Sequence, residues 1–190
     1  MRSSRRQSSH RYSYEEYLVY ERDSAMKHEY DAGEILAMAG GSRRHNALAS
    51  RISAALEGAR RPECVAFQSD QRVRVLATGW ATYPDASMVC GTIESDPADP
   101  GGTTITNPML IVEILSPSTE EDDRGGKWHD YQLIPSLQEY VLVGQTSPRV
   151  ESYRRLPSGT WEYRDTREGV VSLVSGAALD LTSLYSGLPD

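Results

Sequence analysis

Apolar positions along this chain recur with two periods, and the points where one gives way to the other outline its elements. Ser13 and Glu16 have capping-box spacing ahead of Tyr14-Glu15-Glu16-Tyr17-Leu18, which predicts a short helix. Residues 27–31 and 34–39 flank the turn signal Asp31-Ala32-Gly33 and predict a hairpin. Gly40-Gly41 breaks its second strand. Ser42 then caps a helix to about Gly58, with Leu48, Ile52, Ala55 and Leu56 on its apolar face. Residues 64–76 and 80–90 read as strands bent apart at Thr78-Gly79, and 96–102, rich in Asp, Pro and Gly, as a loop. A buried strand over 109–115, a helix within 119–134 ending before Pro135, and a buried strand over 139–143 form one strand–helix–strand unit. Residues 150–154 and 161–165 form a hairpin around Pro157-Ser158-Gly159, and 179–181 with a final turn close the chain. The expected class is mixed α/β (α+β), a single domain over 12–190 with antiparallel pairs outside the central unit.

One residue is out of place in this pattern. Met109-Leu110-Ile111-Val112-Glu113-Ile114-Leu115 has the continuous apolar character of a strand buried on both faces. A carboxylate there is costly unless it is paired, hydrogen-bonded or holding a metal. Asp85 has a similar setting in Tyr83-Pro84-Asp85-Ala86-Ser87-Met88-Val89. Two acids stranded in two apolar runs point to a cation site, and so to an enzyme.

Composition narrows the classes. The 190 residues are enough for one domain with a substantial core, and the net charge of −7 argues against binding nucleic acid by bulk charge. Residues 1–11 are polar and basic and are expected to be a disordered tail. They lack the apolar stretch of a signal peptide, and no run approaches the ~20 apolar residues of a membrane span, so the expected compartment is the cytoplasm. Cys64 and Cys90 are too few for a zinc set and are expected to be reduced core thiols rather than a disulfide.

Several blocks in fixed order carry a family resemblance. They are His28-Glu29-Tyr30-Asp31-Ala32-Gly33-Glu34-Ile35, Asp70-Gln71-Arg72-Val73-Arg74-Val75, Tyr83-Pro84-Asp85, the run from Asn107 through Glu113 to Ser116-Pro117-Ser118-Thr119, and Asp123-Arg124-Gly125-Gly126-Lys127. Together they resemble the PD-(D/E)XK nuclease superfamily, and within it the Uma-two family of restriction-type endonucleases. The resemblance implies a restriction-endonuclease-like mixed sheet flanked by helices, with Asp85 and Glu113 as metal ligands and a role for Glu29 near the same site. It implies a hydrolase that cuts phosphodiester bonds, in DNA, with Mg²⁺ or Mn²⁺ held by Asp85, Glu113 and the Ile114 carbonyl. A homodimer would suit the cutting of both strands.

The superfamily pattern has a lysine two residues after the second acid. Here that position is Leu115, and Lys127 is the candidate replacement. Glu113 lies about 10 Å from the end of its strand. A helix starting near Thr119 and folding back would carry Lys127 about 12 Å, to a similar height. Gly125-Gly126 is poor helix material, and a helix beginning there would leave Lys127 in its first turn. Phosphate contacts are expected from Arg43, Arg44 and His45 at a helix start and from Arg72 and Arg74 on one strand face. The absent motif lysine keeps a second reading open, a catalytically silent nuclease fold that binds DNA or a protein.

Overall fold

A computed structural model describes residues 10–117 and 119–189 of the chain. The expected tail lies outside the described residues up to position 9. Arg11, counted in that tail, is fixed in place: its guanidinium donates to the Ala32 carbonyl at 2.6 Å, and its side chain packs over Gly33.

The predicted first helix is α1 (Tyr14–Asp23), and both arms of its capping box are formed. The first hairpin joins β1 (His28–Asp31) to β2 (Glu34–Ala37). Its two central residues, Ala32 and Gly33, have φ of 47° and 91°, the left-handed pair that suits the twist of a two-residue hairpin. Helix α2 (Arg43–Ala59) starts at Ser42, whose hydroxyl accepts the His45 N–H, and buries Leu48, Ile52 and Leu56.

The two long strands expected next are in fact four. β3 (Cys64–Gln68) and β4 (Arg72–Arg74) share the first run; β5 (Ala81–Thr82) and β6 (Ala86–Cys90) share the second. Each run crosses between two sheets. Residues 69–71 turn the chain, and Pro84, which has no N–H for a ladder, stands at the second crossing. Apolar character continues through both crossings, so the pattern alone does not reveal them. The rest comprises β7 (Thr104–Ile105), β8 (Leu110–Leu115), α3 (Glu120–Arg124), α4 (Gly126–Tyr131), β9 (Glu139–Gly144), β10 (Val150–Arg155), β11 (Trp161–Thr166), β12 (Val170–Ser172), β13 (Ala178–Asp180) and α5 (Leu181–Tyr185).

One sheet has the order β2-β1-β5-β4-β7, and the second has the order β11-β10-β9-β8-β6-β3. β8 and β9 run parallel, joined by α3 and α4, which is the expected strand–helix–strand unit. The small β12–β13 pair was not expected. Alternation along β8 divides the core. Leu110, Val112 and Ile114 pack with Leu48, Ile52 and Leu56 of α2 and with α5; Ile111 and Leu115 pack with Val73, Trp80, Tyr131 and Ile134. Glu113 therefore shares a face with Ile111 and Leu115, toward the other sheet and α4.

The expectation of reduced thiols is overturned. β3 and β6 pair antiparallel with Cys64 directly opposite Cys90, their Cα atoms 4.0 Å apart, and the two form a disulfide. That proximity is a product of strand register, which the sequence separation of 26 does not display. Among the described residues no helix is long and apolar enough to cross a membrane.

Candidate active site

The site begins where a strand runs out. β6 pairs with β8 through Ala86 opposite Val112 and stops there. Beyond that point the Ile114 N–H on the same edge has no strand to bond. Asp85, immediately before β6, takes its place: Ile114 N–H donates to Asp85 Oδ2 at 2.7 Å. In a strand the N–H and C=O of one residue point to the same side, so the Ile114 carbonyl also points toward this edge. His45, in the first turn of α2, reaches the same Asp85 oxygen from Nε2 at 3.1 Å. That hydrogen bond, opposed by burial and helped by the Asp85 charge, holds the imidazole pKa above its ordinary value.

Glu113 is 3% exposed, and its Oε1 accepts two hydrogen bonds, from Lys127 Nζ at 3.0 Å and from the Tyr131 hydroxyl at 2.9 Å. Lys127 also lies 2.9 Å from Asp123 Oδ1. The helix carrying Lys127 is broken rather than continuous. Gly125, at φ −113° and ψ −84°, separates α3 from α4, and a Cβ there would come within 3.0 Å of the Glu121 carbonyl. Lys127 thus sits in the first turn of α4 and still meets Glu113. Burial pushes the Glu113 carboxyl well above the usual range; Lys127 opposes this, while Asp123 and Asp85 add to it. Burial also disfavours the Lys127 ammonium, but Glu113, Asp123 and Glu29 outweigh it and raise its pKa.

Glu29 acts from β1. The pairing of Tyr30 with Ala81 sets it beside Thr82, whose hydroxyl donates to Glu29 Oε1 at 2.6 Å. Asp85, Glu113, Lys127 and Glu29 are therefore gathered in one electrostatic neighbourhood. The basic residues divide differently. Arg43 is exposed at the start of α2, whereas Arg44 donates to the Gln145 and Pro189 carbonyls. Arg72 and Arg74 are not brought to this site. Arg72, read as exposed on a strand face, is buried and bonded to Asp99, Thr103, Thr104 and Tyr83; Arg74 pairs with Asp96 and lies over the Tyr14 ring. The loop that supplies those two aspartates reads as solvated in sequence.

Asp123 and Tyr131 are site neighbours that the sequence reading missed. The signal was their spacing of four from Lys127 on either side, which is neighbour spacing in a helix; Tyr131 shares α4 with Lys127, and Asp123 reaches it across the break from α3. Asp123 is hidden at the end of Glu120-Glu121-Asp122-Asp123, a run that looks like a solvated helix start, yet it is 1% exposed.

The donor set fits a hard divalent cation. Among the described residues, Asp85 Oδ1 and Glu113 Oε2 accept no hydrogen bond, and the Ile114 carbonyl faces the same edge as Asp85. Among those residues no three His, Cys, Asp or Glu side chains are grouped to hold a metal by themselves. Two carboxylates and a carbonyl are oxygen donors of the kind such a cation takes.

Mixed sheets stitched together by the chain, with acids at the edge of a parallel strand pair, define a nuclease-like fold. The same fold is seen in a crystal structure of "a putative nuclease belonging to DUF820" from Anabaena variabilis, with a TM-score of 0.69 over 92% of this chain and 97% of that one, at 22% identity. The chain belongs to the Uma2 family, described as "Putative restriction endonuclease", whose model matches residues 14–184. Two Synechocystis proteins are similar over most of their length. One, slr1290, is 41% identical over 152 residues, covering 77% of this chain and 76% of that protein. The other, sll1609, is 36% identical over 149 residues, covering 77% and 82%.

Proposed function

We propose that this protein is a metal-dependent endonuclease that hydrolyses phosphodiester bonds in DNA. The observation that carries the reading is an excess of acid over base, partly buried and partly half-buried, at an open strand edge. Glu113 and Asp123 pair with a single ammonium, that of Lys127; Glu29 also acts on that ammonium, and Asp85 acts on Glu113. A divalent cation offsets such an excess. In this reading Mg²⁺, or Mn²⁺ in its place, is held by Asp85, Glu113 and the Ile114 carbonyl, and supplies Lewis-acid polarisation of the phosphoryl group and a lowered pKa for water.

The chain's own groups do the rest. Lys127, kept protonated by Glu113 and Asp123, sets a fixed positive charge where negative charge develops on the phosphoryl oxygens. It substitutes for the lysine that Leu115 displaces. Tyr131 and Lys127 hold Glu113 by one oxygen and leave the other for the cation. Glu29, anchored by Thr82, orders a water at the site's margin and helps to keep Lys127 charged. Arg43 contacts a flanking phosphate, and a second copy of the chain serves the opposite strand.

The test is nicking of supercoiled plasmid by purified protein with Mg²⁺ or Mn²⁺, and its loss with EDTA and in Asp85→Ala. Full activity in Asp85→Ala sinks the reading. Cation-dependent DNA binding with no turnover, unaffected by Lys127→Ala, would establish the silent-fold alternative that Leu115 favours.

A further inference from the structure

Asp85 lies at the crossing between sheets, outside both β5 and β6, so no ladder of backbone bonds fixes it. Its orientation rests on what its carboxylate accepts: the Ile114 N–H and His45 Nε2, both at Oδ2. A carboxylate oxygen only accepts, so Nε2 carries the hydrogen. The other ring nitrogen, Nδ1, is buried on the side where the Asn46 side chain lies.

Gly41 supplies a second observation. Its φ is not in the left-handed region, so glycine is not required by the backbone there. Space is what a larger residue there would have to take from its neighbours. A Cβ at Gly41 would lie 2.5 Å from His45 Nδ1, 3.0 Å from His45 Cγ and 2.8 Å from Asn46 Oδ1. The bare Gly41 backbone therefore abuts the imidazole on its Nδ1 side, while Ser42 fixes the His45 backbone by accepting its N–H at 3.1 Å. The ring is wedged from behind and bonded in front.

We infer that Gly41 and His45 form a positioning device for Asp85. The wedged imidazole, with the Ile114 N–H, keeps Oδ2 occupied and so presents Oδ1 to the cation. This rests on the proposed cation site, and it reassigns His45 from a phosphate contact to a positioning residue. It also gives Gly41 a purpose beyond ending a strand. Hydrogen-bonding partners of metal ligands commonly set affinity by about 10–100-fold.

The experiment is a Mn²⁺ titration of the full chain without DNA, with free Mn²⁺ read by electron paramagnetic resonance. Wild type is compared with His45→Ala, His45→Gln and Gly41→Ala, and each variant is also melted without metal. His45→Ala is expected to lose affinity by about 10–100-fold. Gly41→Ala, which adds one methyl and changes no charge, is expected to lose affinity by a smaller factor, with the metal-free melting curve retained. His45→Gln, whose amide N–H can donate to Asp85, is expected to recover part of the loss. Wild-type affinity in both His45→Ala and Gly41→Ala overturns the positioning role and leaves the cation site standing. A wild-type chain that takes up no Mn²⁺ overturns the cation site, and the positioning role with it. Should His45→Ala fail to fold, Gly41→Ala and His45→Gln decide the matter by the same two readings.

Discussion

Two clusters of buried charge in this molecule are built from similar residues and behave in opposite ways. Around β4, Arg72 meets Asp99 and Arg74 meets Asp96, one base to one acid. Thr103 and Thr104 add hydroxyl donors to Asp99 Oδ2 at 2.8 Å and 2.7 Å. Although burial works against it, these bonds and the Arg72 charge pull the Asp99 carboxyl down to about 2. Around β8, Glu113 and Asp123 share one lysine within the field of Asp85, and the Glu113 carboxyl is driven upward. The balanced cluster has spent its charge on holding a loop to a sheet. The unbalanced one keeps a surplus that costs stability, which is the usual condition of a functional site.

The comparison breaks most easily at Glu113. Glu113→Gln should lower DNA cleavage by about 10²–10³-fold, the loss typical of removing one preorganised electrostatic group. Its urea midpoint should hold or rise, because the amide carries no charge to desolvate and Lys127 keeps Asp123. A large fall in midpoint would make Glu113 a structural ion-pair residue of the Arg72 kind. Arg72→Met should do the reverse. Stranding Asp99 in a buried setting should cost about 3–5 kcal/mol in urea unfolding, with cleavage per folded molecule retained.

Acid should sharpen the contrast next. The Asp99 pKa is depressed from 3.8 to about 2 in the folded state, so its stabilisation is fully present above pH 3.8 and is lost as pH falls through about 2. At 1.36 kcal/mol per unit this is worth about 2 kcal/mol. Asp99→Asn should therefore flatten the fall in melting temperature between pH 4 and pH 2. An unchanged slope in that variant would mean that the Arg72 cluster is not the acid-sensitive one.

The sequence made the site more legible than the fold around it. Glu113 stands out because β8 is buried on both faces, so one charge among apolar residues is conspicuous. Asp85 stands out for the same reason. The capping residues Ser13 and Ser42 also show themselves, since their signals are local. What stayed hidden depends on pairing between distant segments. Both sheet crossings lie inside apolar runs, Cys64 meets Cys90 only through strand register, and Asp96 and Asp99 sit in a Pro/Gly-rich loop that looks solvated. Arg72 and Arg74 alternate as surface residues would, and that loop folding back, together with Tyr83 and Tyr17, removes Arg72 from solvent. For Lys127 the sequence leaves two helix starts open, near Thr119 and at Gly125-Gly126; the structure breaks at Gly125, and Lys127 meets Glu113 from the first turn of α4.

The smallest effect concerns Tyr131, whose hydroxyl donates to the same Glu113 oxygen as Lys127. Tyr131→Phe removes one donor but leaves the ammonium, so the stability change should stay near the worth of one hydrogen bond, about 0.5–1.5 kcal/mol. The sign of the accompanying pH effect is fixed by chemistry. A donor to a carboxylate favours its charged form, so losing it moves the carboxyl pKa up. The acidic limb of the cleavage pH profile should then shift to higher pH in Tyr131→Phe, with the alkaline limb in place. A shift the other way would mean that this limb reports a group other than Glu113, because no loss of a donor can make a carboxylate easier to ionise.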